Sequence, residues 1–151
     1  MKKVIALVLA LTMALLLVAC GTSTSKPSPA ASTEPSAAAA GGKIGIAMPT
    51  KSLERWNRDG SYLEEQFKAK GYEVELVYSD NDVNKQVNDI ENLIADKVNL
   101  LVIVAVDGES LSTVLQSAAD AKIPVISYDR LIMNTDAISY YVSFDNYTVG
   151  K

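Results

Sequence analysis

Asp129 and Arg130 stand side by side directly after the apolar run Val125-Ile126-Ser127-Tyr128. A carboxylate supplies acceptors and a guanidinium a rigid fork of donors, so the two together match neighbouring hydroxyls, each of which donates and accepts. Such a pair suits a neutral polyol. The other reading is an ion pair that closes a loop, since semi-buried charges are commonly paired. Arg55 and Trp56 form a second candidate group, and Trp56 is the single tryptophan of the chain. An indole near a helix start can anchor that helix on a sheet, or offer its face to the apolar side of a flat ring. Arg55 taken alone reads as a solvated charge. Lys51 lies near the same edge and is not counted as a contact.

Other chemistries are missing. There is no histidine, which removes most zinc sites, the usual general base near neutral pH and every Ser-His or Cys-His nucleophile. An enzyme built on this chain would need a general base made from Asp or Glu alone. No catalytic group, metal or cofactor is expected. Asp80, Asp82, Asn84 and Glu91 match ligand places in a calcium loop, but Lys85 holds the place where that loop needs glycine. Asp107 ends the third apolar run, where the receiver domain of a response regulator carries its phospho-accepting aspartate. The acidic pair such domains need after their first strand is replaced here by Pro49-Thr50-Lys51. Asp107 is instead expected to cap a helix beginning at Gly108–Glu109. Neither a Walker A loop nor a G-x-G-x-x-G motif occurs, so nothing supports nucleotide phosphate binding. A net charge of −4 argues against a basic surface for nucleic acid.

These groups need elements to hold them. Ile44–Met48 reads as a strand closed by Pro49, and Leu53 to Lys70 as a helix ending at Gly71, a residue suited to the left-handed cap. Val74–Tyr78 is the second strand, and Asp82 caps the next helix. Val83, Val87, Ile90 and Ile94 form its apolar stripe. Leu100–Val106 is unbroken apolar sequence, as expected of a central parallel strand covered on both faces. Leu111, Val114, Leu115 and Ala118 make a third stripe. Pro124–Tyr128 and Ser139–Phe144 are the last strands. Asp145 follows as a cap, and Tyr147–Lys151 as a first helical turn too short to hold by itself. Strand-helix alternation implies an α/β fold, a doubly wound parallel sheet with right-handed crossovers. Ligands bind such sheets outside the carboxyl ends of the strands. Pro49–Trp56, Asp107-Gly108, Asp129-Arg130 and Asp145-Asn146 all fall at those exits.

The first 42 residues have a different character. Lys2 and Lys3 precede sixteen residues, Val4 to Ala19, that hold one hydroxyl among them. This is the order of a secretory signal peptide, and the run is short of the ~20 apolar residues of a membrane span. Leu17-Val18-Ala19-Cys20 resembles the bacterial lipobox, which implies cleavage before Cys20 and lipid on that cysteine. About 130 residues would then remain, enough for one modest domain, with a net charge of −6. Cys20 is the only cysteine, so no thiol is left for a disulfide or a thiolate metal site. Residues 20–42 read as a lipid-anchored flexible linker. After Cys20 they are small residues with three prolines, one lysine and one glutamate, a composition shared by O-glycosylated stalks. The folded domain is expected over 43–151.

Four segments carry a resemblance: KIGIAMPTKSLERW, IENLIADKVNLLVI, IPVISYDRLI and YYVSFDNYTVG. In this order they resemble the sugar-binding proteins of bacterial ABC importers, the xylose-binding and multiple-monosaccharide-binding members among them. The resemblance covers Lys43 to Lys151, and the Glu-Arg-Trp and Tyr-Asp-Arg triplets make it more specific than the fold. It implies a type 1 periplasmic-binding-protein fold, two lobes closing on one monosaccharide, and delivery to a membrane permease. Arg55 and Arg130 would donate to sugar oxygens, Asp129 would accept from hydroxyls, and Trp56 would line one face of the ring. The resemblance also implies a longer protein, with a second lobe beyond Lys151. Two further readings stand beside transport. One is a sensory lipoprotein presenting sugar to a chemoreceptor or histidine kinase. The other is the effector domain of a LacI-type repressor, which would need a helix-turn-helix where this chain has a leader.

Overall fold

Short apolar runs alternating with helical stripes become, in a computed structural model describing residues 41–151, a parallel sheet wrapped on both faces. The leader, Cys20 and the linker as far as residue 40 lie outside the described residues. In chain order the elements are β1 (Lys43–Met48), α1 (Glu54–Ala69), β2 (Glu73–Tyr78), α2 (Val83–Ala95) and β3 (Leu100–Ile103). They continue with α3 (Ser112–Asp120), β4 (Val125–Tyr128), β5 (Tyr140–Val142) and α4 (Asn146–Val149). The sheet order is β2-β1-β3-β4-β5, and every neighbouring pair is parallel. The doubly wound α/β expectation is met. Among the described residues no helix is long and apolar enough to cross a membrane.

Period-two alternation sorts each strand between two cores. Ile44, Ile46 and Met48 of β1 point with Val102 and Val104 toward α1. Ala47, Leu101, Ile103 and Val125 point the other way, against Ile90 and Leu93 of α2 and Val114, Leu115 and Ala118 of α3. Gly60 lets α1 lie close on its face, since a Cβ there would fall 2.7 Å from the Tyr78 hydroxyl oxygen and 3.2 Å from Met48. The connection from β4 to β5 contains no helix. It crosses on the α2–α3 side as an irregular segment, with Ile132 buried and Ala137 and Ile138 packed on that core.

Three helices end in the same device. After α1, Gly71 N–H donates to Lys68 O and Tyr72 N–H to Phe67 O, the two bonds of a Schellman motif. Lys97 and Val98 repeat it after α2, and Lys122 and Ile123 after α3. The left-handed position is glycine only once, with Gly71 at φ +86°; Lys97 and Lys122 sit there at +57° and +60°.

Several boundaries differ from expectation. The strand expected over Leu100–Val106 ends at Ile103, because neighbouring β1 stops at Pro49, which has no N–H to donate. β5 is three residues rather than Ser139–Phe144, since β4 ends at Tyr128 where the chain turns. Asp82 caps α2 as expected, accepting from Lys85 N–H at 2.9 Å. Asp107 caps no helix, because α3 starts only at Ser112. Its carboxylate instead accepts from Glu109 N–H and the Ser110 hydroxyl, closing a turn. The single turn expected not to hold is present as α4, because Asp145 accepts from the N–H groups of Tyr147 and Thr148. Gly41 and Gly42, assigned to the flexible linker, are bonded to the sheet margin: Gly41 N–H donates to Gly71 O, and Glu73 N–H donates to Gly42 O.

Candidate functional site

Pro49 ends β1, and a tight turn follows in which Ser52 N–H donates to the Thr50 hydroxyl oxygen at 3.2 Å. That turn sets the start of α1 and puts Arg55 and Trp56 in its first turn. Trp56 is 4% exposed and packs with Met48, Val102 and Val104. It therefore anchors the helix, one of the two roles open to it. Its ring also carries two cations. The Arg55 guanidinium carbon lies 4.4 Å from the ring centroid and that of Arg130 5.2 Å, both inside cation–π range.

Arg130 arrives there by a sharp turn at the end of β4. Arg130 N–H donates to Tyr128 O at 2.7 Å across a single residue, Asp129, whose φ is +63°. This is a γ-turn of the rare positive-φ form, a conformation that stores strain. Bonds from all sides hold it. Asp129 N–H donates to Val142 O, while the hydroxyls of Tyr141 and Ser143 donate to Asp129 O. The buried Ser127 hydroxyl donates to Arg130 O at 2.7 Å and accepts from Ile132 N–H at 3.1 Å.

The turn sends the two adjacent side chains to different partners. Asp129, with its side chain 12% exposed, pairs with the Arg55 guanidinium rather than with its neighbour. Arg55 also reaches Asp59 at 3.7 Å and stacks on Phe144, 5.5 Å from that ring centroid. Arg130 Nη1 donates to Ala105 O at 2.9 Å and Val106 O at 3.3 Å, the carbonyls just past β3. Arg55, Trp56, Asp129 and Arg130, which the sequence singled out, are thus one cluster at the carboxyl ends of β1, β3 and β4. Lys51 is engaged elsewhere, with its ammonium 5.8 Å above the Tyr78 ring.

Beside this cluster is a concavity of about 220 Å³ lined by Arg55, Tyr128, Asp129, Val142, Ser143 and Phe144. Burial pushes the Tyr128 hydroxyl above its ordinary pKa; Asp59 and Asp129 add to this, and Arg55 opposes it. Tyr128, Ser143 and Phe144 were not singled out by sequence. Their signal was positional, since Tyr128 ends β4 and the other two follow β5. Among the described residues no group of acidic or thiol side chains is placed to hold a metal ion.

The described fold matches a family model, "Periplasmic binding protein domain", over residues 44–151. The chain belongs to this family. The chain is 48% identical over 116 residues to the multiple sugar-binding periplasmic receptor ChvE of Rhizobium radiobacter, covering 77% of this chain and 33% of that protein. It is 37% identical over 109 residues to the D-xylose-binding periplasmic protein of Escherichia coli, covering 72% and 33%. Among solved structures it resembles an ABC transporter solute-binding protein from Clostridium phytofermentans with bound β-D-glucose. There the TM-score is 0.70 and the identity 58%, over 72% of this chain and 33% of the other. A carbohydrate transporter solute-binding protein from Chloroflexus aurantiacus in complex with D-glucose gives a TM-score of 0.66 at 40% identity, over 71% and 32%. The parallel sheet is thus that of a type 1 periplasmic binding protein. The chain spans about a third of the length of these relatives.

Proposed function

We propose that this domain supplies one wall of an aldose-binding site outside the cytoplasm, in a protein that passes the sugar to an ABC-type import permease. The observation that carries the reading is the convergence of Arg55 and Arg130 on one platform, Trp56, with Asp129 paired to Arg55, beside an open concavity. Arg55 is paired with Asp129 and Asp59, while Arg130 is held by backbone carbonyls, so the cluster combines two guanidiniums with two carboxylates and its formal charge is balanced. That balance favours neutral, hydroxyl-rich ligands over anions. The relatives support the same class, one being named for D-xylose and two having been solved with D-glucose bound.

In this reading the two guanidiniums donate to ring and hydroxyl oxygens, and Asp129 accepts. Trp56 acts chiefly through the cations it holds, because its ring is buried. The concavity is below the ~300 Å³ at which small-molecule pockets begin, as suits one wall of a cleft that closes from two sides. Binding of this kind involves no bond-breaking, so the protein acts as a carrier rather than an enzyme. The leader and Cys20 extend the proposal to lipid attachment at the cell envelope.

Titration with D-glucose and with D-xylose, followed by Trp56 fluorescence, tests the reading. A saturable change is expected in the wild type and a loss of it in Asp129→Ala. Saturable binding that survives Asp129→Ala and Arg130→Ala unchanged would place the sugar elsewhere. Lipid attachment is tested by Cys20→Ser, which is expected to move the protein from the membrane fraction to the soluble one.

A further inference from the structure

Gln86 is a polar side chain with no exposure at all, in the middle of the apolar face of α2. Its amide is fully engaged with main chain: Nε2 donates to Val104 O at 2.9 Å, and Val106 N–H donates to Oε1 at 2.8 Å. These are the peptide groups left over where β3 outruns β1. Val104 N–H still donates to Ala47 O in the manner of a strand, but Pro49 ends β1 and has no N–H to continue the ladder toward residues 105–106. One primary amide offers a donor and an acceptor side by side, as a neighbouring strand would. Gln86 thus substitutes for a missing strand over three residues. The carbonyls of that same segment, Ala105 O and Val106 O, are the ones that receive Arg130.

We infer that Gln86 is a positioning residue for the ligand site, holding residues 104–106 extended so that their carbonyls fix the Arg130 guanidinium over Trp56. That Arg130 then meets a sugar rests on the function proposed above. The positioning itself does not, so the two can fail separately.

The test compares Gln86→Leu and Gln86→Glu with the wild type in the 151-residue chain, using nitrogen-15 NMR of the arginine side chains without sugar. In the wild type Arg130 is expected to show slowed guanidinium proton exchange and Arg55 a separate signature from its Asp129 pair. In Gln86→Leu the Arg130 signature is lost, while Arg55 and the amides of β1 and β2 are unchanged. Gln86→Glu provides the discriminating readout. A neutral carboxyl donates and accepts as the amide does, whereas a carboxylate can only accept, and burial raises the pH at which it forms. Guanidinium exchange is itself base-catalysed, so the Arg130 signature is read against the wild type at each pH; in this variant it should match the wild type at about pH 5 and fall away from it toward about pH 9. Lys85 and Asp89 on the same helix, Asp107 beyond β3 and Arg130 itself are present in all three proteins, so their titration cancels in the comparison.

An Arg130 signature that persists in Gln86→Leu overturns the inference. So does a loss spread equally over Arg55 and the β1–β2 amides, or a Gln86→Glu variant that follows the wild type at every pH. Titration with D-glucose and D-xylose then separates the readings. About tenfold weaker binding in Gln86→Leu, with the pH trend in Gln86→Glu, is expected. Loss of the Arg130 signature in Gln86→Leu, with sugar binding equal to that of the wild type, upholds the positioning and overturns the proposed sugar contact of Arg130.

Discussion

Replacing Arg130 by alanine should cost this domain both stability and ligand affinity, and the two losses can be worked from the same contacts. Arg130 Nη1 makes one good hydrogen bond, to Ala105 O, and one longer bond, to Val106 O. Ala105 is buried, so its carbonyl is left without a partner when the guanidinium goes. A hydrogen bond from a charged donor contributes about 1.5–3 kcal/mol. The contact with the Trp56 ring at 5.2 Å adds about 0.5–1 kcal/mol. Arg130 is itself exposed, which favours the low end, so the expected loss is about 2 kcal/mol. With a urea dependence near 1.5 kcal/mol per molar, the unfolding midpoint falls by about 1.3 M. Arg130→Lys keeps the charge and one bond but not the planar fork, and should lose about half as much. Urea unfolding followed by Trp56 emission measures all three proteins. If the same guanidinium donates to sugar, Arg130→Ala also weakens D-glucose binding about thirtyfold. A midpoint unmoved by Arg130→Ala would refute the account of how Arg130 is held. A lowered midpoint with unchanged sugar affinity would confine Arg130 to the architecture.

Lys97→Gly and Lys122→Gly should each stabilise the domain by about 1 kcal/mol, since both lysines occupy left-handed backbone at helix ends; an unchanged or lowered melting temperature contradicts this. Gly60→Ala should destabilise by about 1 kcal/mol, because crowding against Tyr78 outweighs the gain in helix propensity. Adding Tyr78→Phe removes the oxygen that the new methyl meets, and a double-mutant cycle should show that recovery. The Asp145 carboxyl is held below its ordinary 3.8, first by the Thr148 hydroxyl and then by backbone N–H groups. A lowered folded-state pKa gives stability that is complete above the ordinary value and is lost as pH falls through the lowered one. Protection of the Thr148 amide, relative to its intrinsic exchange rate, should therefore fall at the acid end, and Thr148→Val should move that onset to higher pH.

Much of the scaffold was readable because its punctuation is local. Pro49, Gly71 and Asp82 mark a strand end, a helix end and a helix start through their own backbone chemistry. Lys97 and Lys122 carry no such mark, since lysine does not signal left-handed backbone, and only the two Schellman bonds beside each reveal its conformation. The stripe Val83, Val87, Ile90, Ile94 identified α2 but missed the centre of its buried face, which is Gln86, Ile90 and Leu93. The i, i+4, i+7 spacing of those three was present, hidden by the polarity of glutamine. At the site, residue types at strand exits identified Arg55, Trp56, Asp129 and Arg130 as candidates. They did not say which would pair. Asp129 lies 74 residues from Arg55, and the choice of that partner over its neighbour depends on the γ-turn, a tertiary outcome with no local code.

The helix-free crossover from β4 to β5 gives two tasks to one stretch of chain. Its opening residues are the proposed ligand contacts, while its later ones, Ile132, Ala137 and Ile138, seal a hydrophobic core. Retargeting such a protein by inserting or randomising residues there would therefore unseat the marginal strand as well as reshape the cleft. Diversity is better placed in the turn before α1, from Lys51 to Leu53, whose residues are exposed and lie outside the Arg55–Asp129 pair.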